Sequence, residues 1–406
     1  MQRLLVDVTR TLQSGQHTGI QRVVRRLWRA LQESSGAHRV EVRAVVFKGR
    51  EWLTLAELPS HPLELLSSTG LPDLPIPCPA LGAAVKIRPQ TGDVILMADA
   101  SWYIDPWPAV DAALDNGARL VGFVHDLLPL QKPQWFRPEL QPRFASHLAN
   151  MIERASLLVT PSEVVRHAVQ RRLAEPGLRE RRHLGVVCQP LGADFLVTTP
   201  GVDRGAKATP LLSGQPFAMM VGTIEPRKNH QLVLAAFEQL WSQGEQLRLV
   251  LVGAPGWCCD ALLERIRMHA ELGCRLHWFR HLQDAELHAL YKQAQTLVFA
   301  SQDEGFGLPI VEAAYLGCPV LAADRPVLRE AGGDWPTYLP IHNISAWVNA
   351  LRKPRSLSTK LPEVRSWVQV AGQLLITLQD QRTSAGIAPT DPSGGFEADH
   401  LSCEII

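Results

Sequence analysis

Two glutamates, Glu304 and Glu312, flank a glycine-rich segment in the stretch DEGFGLPIVEA at residues 303–313. Glycines let a ligand approach the backbone, and Pro309 suits the first position of a helix. The pattern predicts a loop carrying Glu304 that runs into a helix, with Glu312 in the first helical turn. Both carboxylates are then expected beside one helix N-terminus, a natural site for an anion. A capped loop with an acidic first turn is the simpler interpretation.

A second candidate is the stretch VGTIEPRKNH at residues 221–230. A strand is predicted to end at Gly222 and a helix to begin near Asn229. Arg227 and Lys228 therefore lie where the end of a strand meets the start of a helix. Arginine offers a planar fork of donors and lysine a mobile point charge, which together suit a diphosphate. Two solvated charges on a loop are the alternative.

A third candidate is His125, in the stretch FVHDLLPL at residues 123–130. It follows an apolar strand, so it is expected at the edge of a cleft. There it could donate a hydrogen bond to a ligand hydroxyl or oxyanion, or simply satisfy the end of the strand. The neighbouring Asp126 is predicted to cap the following turn.

A fourth candidate is Gly19, at a predicted helix start in HTGIQRVVRR at residues 17–26. A glycine there lets a ligand approach the N–H groups of the helix. The helix carries arginines beside apolar residues, which is typical of one solvated face and one core face. An anion-binding or membrane-facing patch remains open. The arginines concerned are Arg22, Arg25, Arg26, Arg29, Arg171, Arg172, Arg179, Arg181 and Arg182.

The composition indicates an α/β protein of two or three domains. The chain has 406 residues, 46% of them hydrophobic, and a net charge of +1, so nucleic acid is not an expected partner. The charge is uneven, since the first half is basic and the second half acidic. Seven scattered cysteines fit a reducing compartment. The start does not resemble a signal peptide, and no run of about 18 apolar residues occurs. We expect a cytoplasmic location, with peripheral contact at the inner face of the cell membrane left open.

Several catalytic motifs are missing from the sequence. It contains no Walker A loop, no H-E-x-x-H, no G-x-S-x-G and no Asp-x-Asp. The last absence argues against a metal-dependent nucleotide-sugar site built on paired aspartates. We therefore expect neither a metal nor a cofactor.

Short apolar runs alternate with helical patterns along the chain, which predicts parallel sheets covered on both faces. We expect two Rossmann-like domains facing across a central cleft, with ligands at the C-terminal ends of the strands. The expected segments are a first Rossmann-like domain (1–195), a linker (196–216), a second Rossmann-like domain (217–360), a C-terminal helix (361–382) and a disordered tail (383–406). Residues 53–92 are expected to form a long irregular excursion.

Taken together, these stretches resemble retaining nucleotide-sugar glycosyltransferases of the two-Rossmann GT-B type, in the large family 4, and within it the mannosyltransferase-B-like branch. The resemblance covers roughly residues 1–335. The matching stretches, in order, are TGIQRV, HDLLPL, VTPSEVVRHAV, LGAD, VGTIEPRKNH, LQDAELHALYKQA and EGFGLPIVEAAYLGCPVLAA.

This resemblance implies that the first domain (1–195) lies on the acceptor side and that the second (217–360) binds the nucleotide sugar. It also implies roles for the candidate residues. Glu304 is expected to face the transferred sugar and Glu312 to bind the ribose of the nucleotide. Arg227 and Lys228 would neutralise the diphosphate, and His125 would lie near the sugar. The remaining donor-binding positions implied by the resemblance are Gly19, Gly222, Phe306, Gly307 and Leu308.

The implied reaction moves a hexose, mannose or a related deoxyhexose, from a nucleotide sugar to a hydroxyl of a growing, lipid-linked surface polysaccharide. A GDP-sugar is the preferred donor because the similar branch includes mannosyl- and deoxyhexosyltransferases. Two alternatives stay open: a glycosidase that uses Glu304 and Glu312, and a catalytically degenerate protein that binds a sugar nucleotide.

Overall fold

The computed structural model describes residues 2–14, 19–55, 85–181, 183–195, 214–353 and 362–385. Within these ranges the chain forms two twisted sheets, each flanked by helices. The strands that form the centres of both sheets are apolar and buried on both faces, as parallel strands between layers of helices must be.

The first sheet has eight strands in the order β4-β3-β2-β1-β5-β6-β7-β8. Its central strands are parallel, whereas β3 runs antiparallel to both β2 and β4. The strands are β1 (Gln2–Asp7), β2 (Val40–Lys48), β3 (Glu51–Leu55), β4 (Val85–Ile87), β5 (Val94–Met97), β6 (Arg119–Phe123), β7 (Leu157–Thr160) and β8 (Gly185–Cys188).

The second sheet has six strands in the order β11-β10-β9-β12-β13-β14, and all of its pairings are parallel. Its order reverses between β9 and β12, which is the switch point where ligands bind in open α/β sheets. The strands are β9 (Phe217–Val221), β10 (Arg248–Val252), β11 (Leu276–Phe279), β12 (Thr296–Phe299), β13 (Val320–Ala323) and β14 (Thr337–Leu339).

The helices connect the parallel strands and cover the sheets. They are α1 (Thr9–Ser14), α2 (Gly19–His38), α3 (Trp107–Asp115), α4 (Leu128–Gln131), α5 (Leu140–Arg154), α6 (Glu163–Leu173), α7 (His230–Ser242), α8 (Asp260–Arg267), α9 (Asp284–Gln293), α10 (Leu308–Tyr315), α11 (Pro326–Gly332), α12 (Ile344–Arg352) and α13 (Trp367–Ala385). None of the described helices combines the length and the apolar character that a membrane crossing requires.

The last helix, α13, packs against the first sheet's helix layer, although it follows the second sheet in the chain. It lies along α2 and contributes the fully buried Trp367 and Leu374 to the first sheet's core. The N–H of Trp367 donates to Asp194 at 2.6 Å, and the Gln379 side chain donates to the carbonyl of His38 at 2.9 Å. Helix α13 therefore ties the two halves of the chain together.

The fold class predicted from the sequence is confirmed, and several local predictions are wrong. Residues 53–92 are not irregular throughout, because β3 and β4 lie at the two ends of this segment and extend the first sheet with antiparallel strands. Residues 56–84 between them lie outside the described residues.

At the other end of the chain, α13 continues to Ala385 and so includes the first residues of the expected tail. The rest of that tail, and residues 196–213 of the expected linker, lie outside the described residues. Short helices α3, α11 and α12 and strand β14 had no clear signal in the sequence, because each has only a few buried residues.

Candidate active site

Arg227 and Lys228 lie at the C-terminal edge of the second sheet, in a 3₁₀ turn (Pro226–Lys228) that follows β9. Glu304 lies on the loop after β12, the neighbouring strand across the switch point. One carboxylate oxygen of Glu304 accepts from Arg227 Nη1 and the other from Lys228 Nζ. The side chains of Arg227 and Glu304 are 17% and 9% exposed, so this is a buried ion-pair cluster rather than two solvated charges on a loop.

The charges in this cluster fix each other's protonation states. Burial opposes ionisation of Glu304, but Arg227 and Lys228 outweigh it and lower the pKa of Glu304 to about 2. Burial also opposes the charge on Arg227, but Glu225 and Glu304 raise its pKa. Lys228 differs, since burial lowers its pKa despite the nearby Glu304. Glu304 is therefore a carboxylate at neutral pH and cannot donate a proton.

The loop that carries Glu304 presses against the first domain. Ser162, the N-cap of α6, donates from Oγ to the carbonyl of Gly305 at 2.8 Å. A Cβ atom at Gly305 would lie only 2.0 Å from the carbonyl oxygen of His125, so this close approach requires glycine. Gly307 then takes a positive φ of 114° as the N-cap of α10. These contacts bring Glu304 and His125 to the same cleft.

His125 follows β6, where the sequence predicted it, but its ring is already engaged. Its Nε2 atom lies 2.7 Å from the carbonyl oxygen of Ala98, which can only accept. Burial lowers the pKa of His125 to about 4, so the ring is neutral at pH 7. With Nε2 as the donor, Nδ1 is an acceptor. The ring therefore satisfies the end of a strand, one of the two roles that the sequence left open, and its place near the sugar stays a prediction. Asp126 caps the next turn as predicted, through the N–H of Leu128 at 3.0 Å.

Glu312 lies apart from this cluster in a second network. Helix α10 begins at Leu308, so Glu312 lies in its second turn. The sequence had indicated the first turn, and that prediction is wrong. Its Oε1 atom accepts from Arg22 at 2.6 Å and from Arg26 at 2.7 Å, both on α2 of the first domain. Its Oε2 atom accepts from the Tyr291 hydroxyl at 3.1 Å. The two glutamates therefore do not share one helix N-terminus.

Arg22 and Arg26 consequently have a different role from the solvated face or membrane patch considered above. Arg26 is 4% exposed and also donates to Asp284 at 3.1 Å, with its guanidinium over the Phe195 ring. Arg22 and Arg26 are one helical turn apart, so both reach Glu312 from the same face. Arg181 donates to the carbonyls of Ile152 and Ala155. Arg182 lies outside the described residues, as does the side chain of Arg179.

The other predicted donor-binding positions are spread around the cleft. Gly222 follows β9 beside Lys228, and its N–H donates to Val252 at 2.9 Å. Gly19 begins α2 and has open space around it, next to residues 15–18 outside the described ranges. Phe306 and Leu308 are each 8% exposed and belong to the first domain's apolar cluster, so their side chains pack the interface between the domains. Any contact that these two residues make with a donor would therefore be made by their backbone N–H groups.

Sequence reasoning missed two kinds of site residue. Glu225 pairs with Arg227 at 2.8 Å, and its position two residues before the arginine was the available signal. Tyr291 and Ser162 reach the site only through tertiary contacts. Within the described ranges, no group of three or more His, Cys, Asp or Glu side chains is placed to hold a metal ion.

Two Rossmann-like sheets facing across a cleft, with basic residues at the strand ends of the second, define the GT-B class of proteins. Residues 204–358 match the sequence model of the family described as glycosyl transferases group 1. The fold is shared with sucrose-phosphate synthase from Thermosynechococcus elongatus, with a TM-score of 0.57 at 19% identity, covering 95% of this chain and 98% of that one. Anabaena HepE, solved in complex with UDP and glucose, gives a TM-score of 0.56 at 16% identity, covering 95% and 99%.

Among curated relatives, the chain is 34% identical over 343 residues to the serotype-specific mannosyltransferase WbdA of Escherichia coli, covering 83% of this chain and 40% of WbdA. It is 31% identical over 223 residues to the O-antigen chain mannosyltransferase B of Escherichia coli, covering 53% and 56%. The chain thus spans about two fifths of the length of the first of these relatives.

Proposed function

We propose that this chain is a retaining glycosyltransferase that moves mannose or a related deoxyhexose from a GDP-sugar to a hydroxyl of a growing, lipid-linked surface polysaccharide. The observation that carries the proposal is the pair of buried cations, Arg227 and Lys228, that hold Glu304 at the strand ends of the second sheet. Buried cations at such an edge bind an anionic group far better than surface charges do.

In the proposed reaction, the bond between the anomeric carbon and the diphosphate oxygen breaks. A bond to the acceptor oxygen forms on the same face, and the acceptor proton passes to the leaving diphosphate. Arg227 and Lys228 stabilise the charge that develops on the diphosphate. Glu304 is ionised and faces the positive charge that develops on the sugar. Glu304 pairs with both cations, so the diphosphate must take its place before transfer.

The relatives support the sugar and the acceptor class. Two of them carry the names of mannosyltransferases, one of them specific to the O-antigen chain. The UDP seen with HepE comes from a protein only 16% identical to this chain, so it does not decide the base. We keep guanine as the proposed base because of the mannosyltransferase relatives.

A glycosidase built on Glu304 and Glu312 is disfavoured. Such an enzyme needs one protonated carboxyl that acts as an acid, and its two carboxyls must flank one bond. Glu304 has a pKa of about 2, and Glu312 is fully buried in ion pairs with α2. Neither carboxyl suits the role of the acid.

The test is a thermal-shift panel with GDP, UDP and ADP, followed by incubation of the matching sugar nucleotide with a lipid-linked mannan acceptor. We expect GDP to raise the melting temperature most and the product to keep the anomeric configuration of the donor. Stabilisation by none of the three nucleotides would refute the proposal, and a preference for UDP would overturn the choice of base.

We further propose that the first domain contacts anionic membrane where the lipid-linked acceptor lies. Since Arg22 and Arg26 are engaged with Glu312, the contact falls to exposed arginines such as Arg171. Sedimentation with vesicles of phosphatidylglycerol and phosphatidylcholine at low and high salt tests this. Binding that does not depend on the anionic lipid would refute it.

A further inference from the structure

Glu225 is a buried carboxylate whose role is not explained by its local structure. It is 2% exposed and precedes the 3₁₀ turn that carries Arg227 and Lys228. The N-cap contact of that turn comes from its backbone, since the N–H of Lys228 donates to the carbonyl of Glu225 at 3.1 Å. Its side chain makes no capping hydrogen bond. The turn would therefore form equally well without a carboxylate at this position.

The side chain of Glu225 instead holds Arg227. Its Oε1 atom lies 2.8 Å from Arg227 Nη2, while Nη1 of the same guanidinium donates to Glu304. Arg227 is thus held between two carboxylates, one on each end of its fork. Glu225 and Glu304 both raise the pKa of Arg227, against the effect of burial.

The burial of Glu225 also has an unfavourable free energy, which a residue with a purely structural role would avoid. Its Oε2 atom is buried and has no hydrogen-bond partner among the described residues. Burial raises the pKa of Glu225, although Arg227 and Lys228 oppose this. A buried carboxylate oxygen without a partner is unfavourable, so its retention calls for an explanation.

The two carboxylates differ in what a donor would do to them. A diphosphate that binds Arg227 and Lys228 must displace Glu304, because Glu304 occupies both cations. Without Glu225, the remaining hydrogen bond of the Arg227 guanidinium would be a weak contact of 3.4 Å with the carbonyl of Asp303. The guanidinium would then lose its fixed orientation at the moment when the diphosphate needs it.

We propose that Glu225 is a positioning residue for the transfer reaction, which keeps the Arg227 guanidinium oriented toward the diphosphate after the donor has displaced Glu304. This inference rests on the proposed function. It assigns to Glu225 a geometric role, which depends on where its oxygen lies, and not a role through net charge.

Two conservative variants separate geometry from charge. Glu225→Gln keeps an oxygen at the length of the native side chain but loses the charge. Glu225→Asp keeps the charge but withdraws the carboxylate by one methylene. We expect Glu225→Asp to lower kcat/KM for GDP-mannose roughly 10-fold, since it loses a hydrogen bond to a charged group, and Glu225→Gln to lower it by less than about 3-fold.

The effect should also depend on Arg227. In an Arg227→Ala background, Glu225→Asp should cause no further loss of kcat/KM, because Glu225 acts through that arginine. Asp93→Asn is the matched control. Asp93 is 3% exposed and pairs with Arg3 at the start of β5, far from the strand ends that face the cleft. Its loss should lower stability and leave kcat/KM unchanged.

The outcomes are distinct. If Glu225→Gln is the more damaged variant, or if the loss from Glu225→Asp persists fully without Arg227, the positioning role is wrong while the proposed function stands. If the wild-type protein binds neither GDP nor UDP in calorimetry, the proposed function fails and this assignment fails with it.

Discussion

The guanidinium of Arg26, on α2 of the first domain, lies 2.7 Å from a carboxylate oxygen of Glu312 in the second domain. Arg22 reaches the same oxygen at 2.6 Å. Glu312 is fully buried and Arg26 nearly so, so this is a desolvated ion pair across the interface of the two domains. This ion pair helps to fix the position of α2 relative to α10, in addition to packing.

Removing Arg26 should therefore destabilise the protein. We expect Arg26→Leu to lower the free energy of unfolding by about 3 kcal/mol, because Glu312 keeps its charge but loses a buried partner. The double variant Arg26→Leu/Glu312→Leu should recover part of the loss. Urea unfolding followed by tryptophan fluorescence measures both. Arg43→Leu is the control: Arg43 is 47% exposed where it pairs with Glu41, so its loss should cost no more than about 1 kcal/mol. Equal losses for Arg26 and Arg43 would contradict the buried-pair account.

Glu304 should oppose nucleotide binding while promoting transfer. In the ligand-free protein it neutralises Arg227 and Lys228, so Glu304→Gln frees both cations for the diphosphate. We expect the variant to bind GDP roughly 10-fold more tightly, which corresponds to about 1.4 kcal/mol of repulsion removed. The same change should lower kcat roughly 100-fold or more, since it removes the charge that faces the sugar. Calorimetry and donor kinetics provide the two measurements. Weaker GDP binding by the variant would show that Glu304 does not compete with the diphosphate.

The ribose role of Glu312 stays a prediction, and the ion pairs with α2 complicate a simple test. Glu312→Ala removes those ion pairs as well as any ribose contact. The sharper experiment varies the ligand: wild-type protein should bind GDP roughly 10-fold more tightly than 2′-deoxy-GDP or 3′-deoxy-GDP, because one ribose hydroxyl is lost. Glu312→Ala should bind the three nucleotides equally. Discrimination that survives in the variant would assign the ribose contact to another residue.

Transfer should survive chelation of divalent metal ions. Arg227 and Lys228 already supply two positive charges at the strand ends where the diphosphate is proposed to bind. We expect the same initial rate with and without EDTA, after dialysis of the protein and the donor. Loss of activity with EDTA and its recovery on addition of Mn²⁺ or Mg²⁺ would replace this account with a metal-assisted one.

His147 should make the protein sensitive to acid. It is 6% exposed beside Trp107, and burial lowers its pKa to about 4, from an unfolded value of about 6.5. Because the unfolded chain binds this proton more readily, the contribution to stability is complete above pH 6.5 and is lost as the pH falls toward 4. Relative to His147→Phe, the wild type should lose about 1.4 kcal/mol of unfolding free energy per pH unit across that window.

The wild type is compared with His147→Phe because Asp99 changes the unfolding free energy with pH in the opposite direction to His147. Burial and the nearby Asp7 raise the pKa of Asp99 to about 7, so its contribution to stability is lost as the pH rises from about 4 to about 7. Both proteins contain Asp99, so its contribution cancels in the difference between their unfolding free energies. A difference that does not change with pH between 6.5 and 4 would mean that His147 titrates normally in the folded protein.

The sequence by itself determined the fold class and the place of the basic pair. Apolar runs such as FAMMV and RLVLV, alternating with helical patterns, indicate a parallel sheet between helices, and this local pattern placed Arg227 and Lys228 at a strand end. The antiparallel strands β3 and β4, the last two on one side of the first sheet, escaped detection because they are short and partly exposed. Edge strands carry a weaker apolar signal than central ones.

The tertiary structure alone decided how the charges pair. In the sequence, Glu304 and Glu312 look like two members of one site, since only seven residues separate them. In the fold, Glu304 pairs with Arg227 and Lys228 of its own domain. Glu312 lies in the second turn of α10 and pairs with Arg22 and Arg26 of the other domain. A residue's type and spacing fix its charge and its place on an element. Its partner depends on which elements pack together, and contacts spanning 290 positions, such as Arg22 with Glu312, leave no local pattern to find.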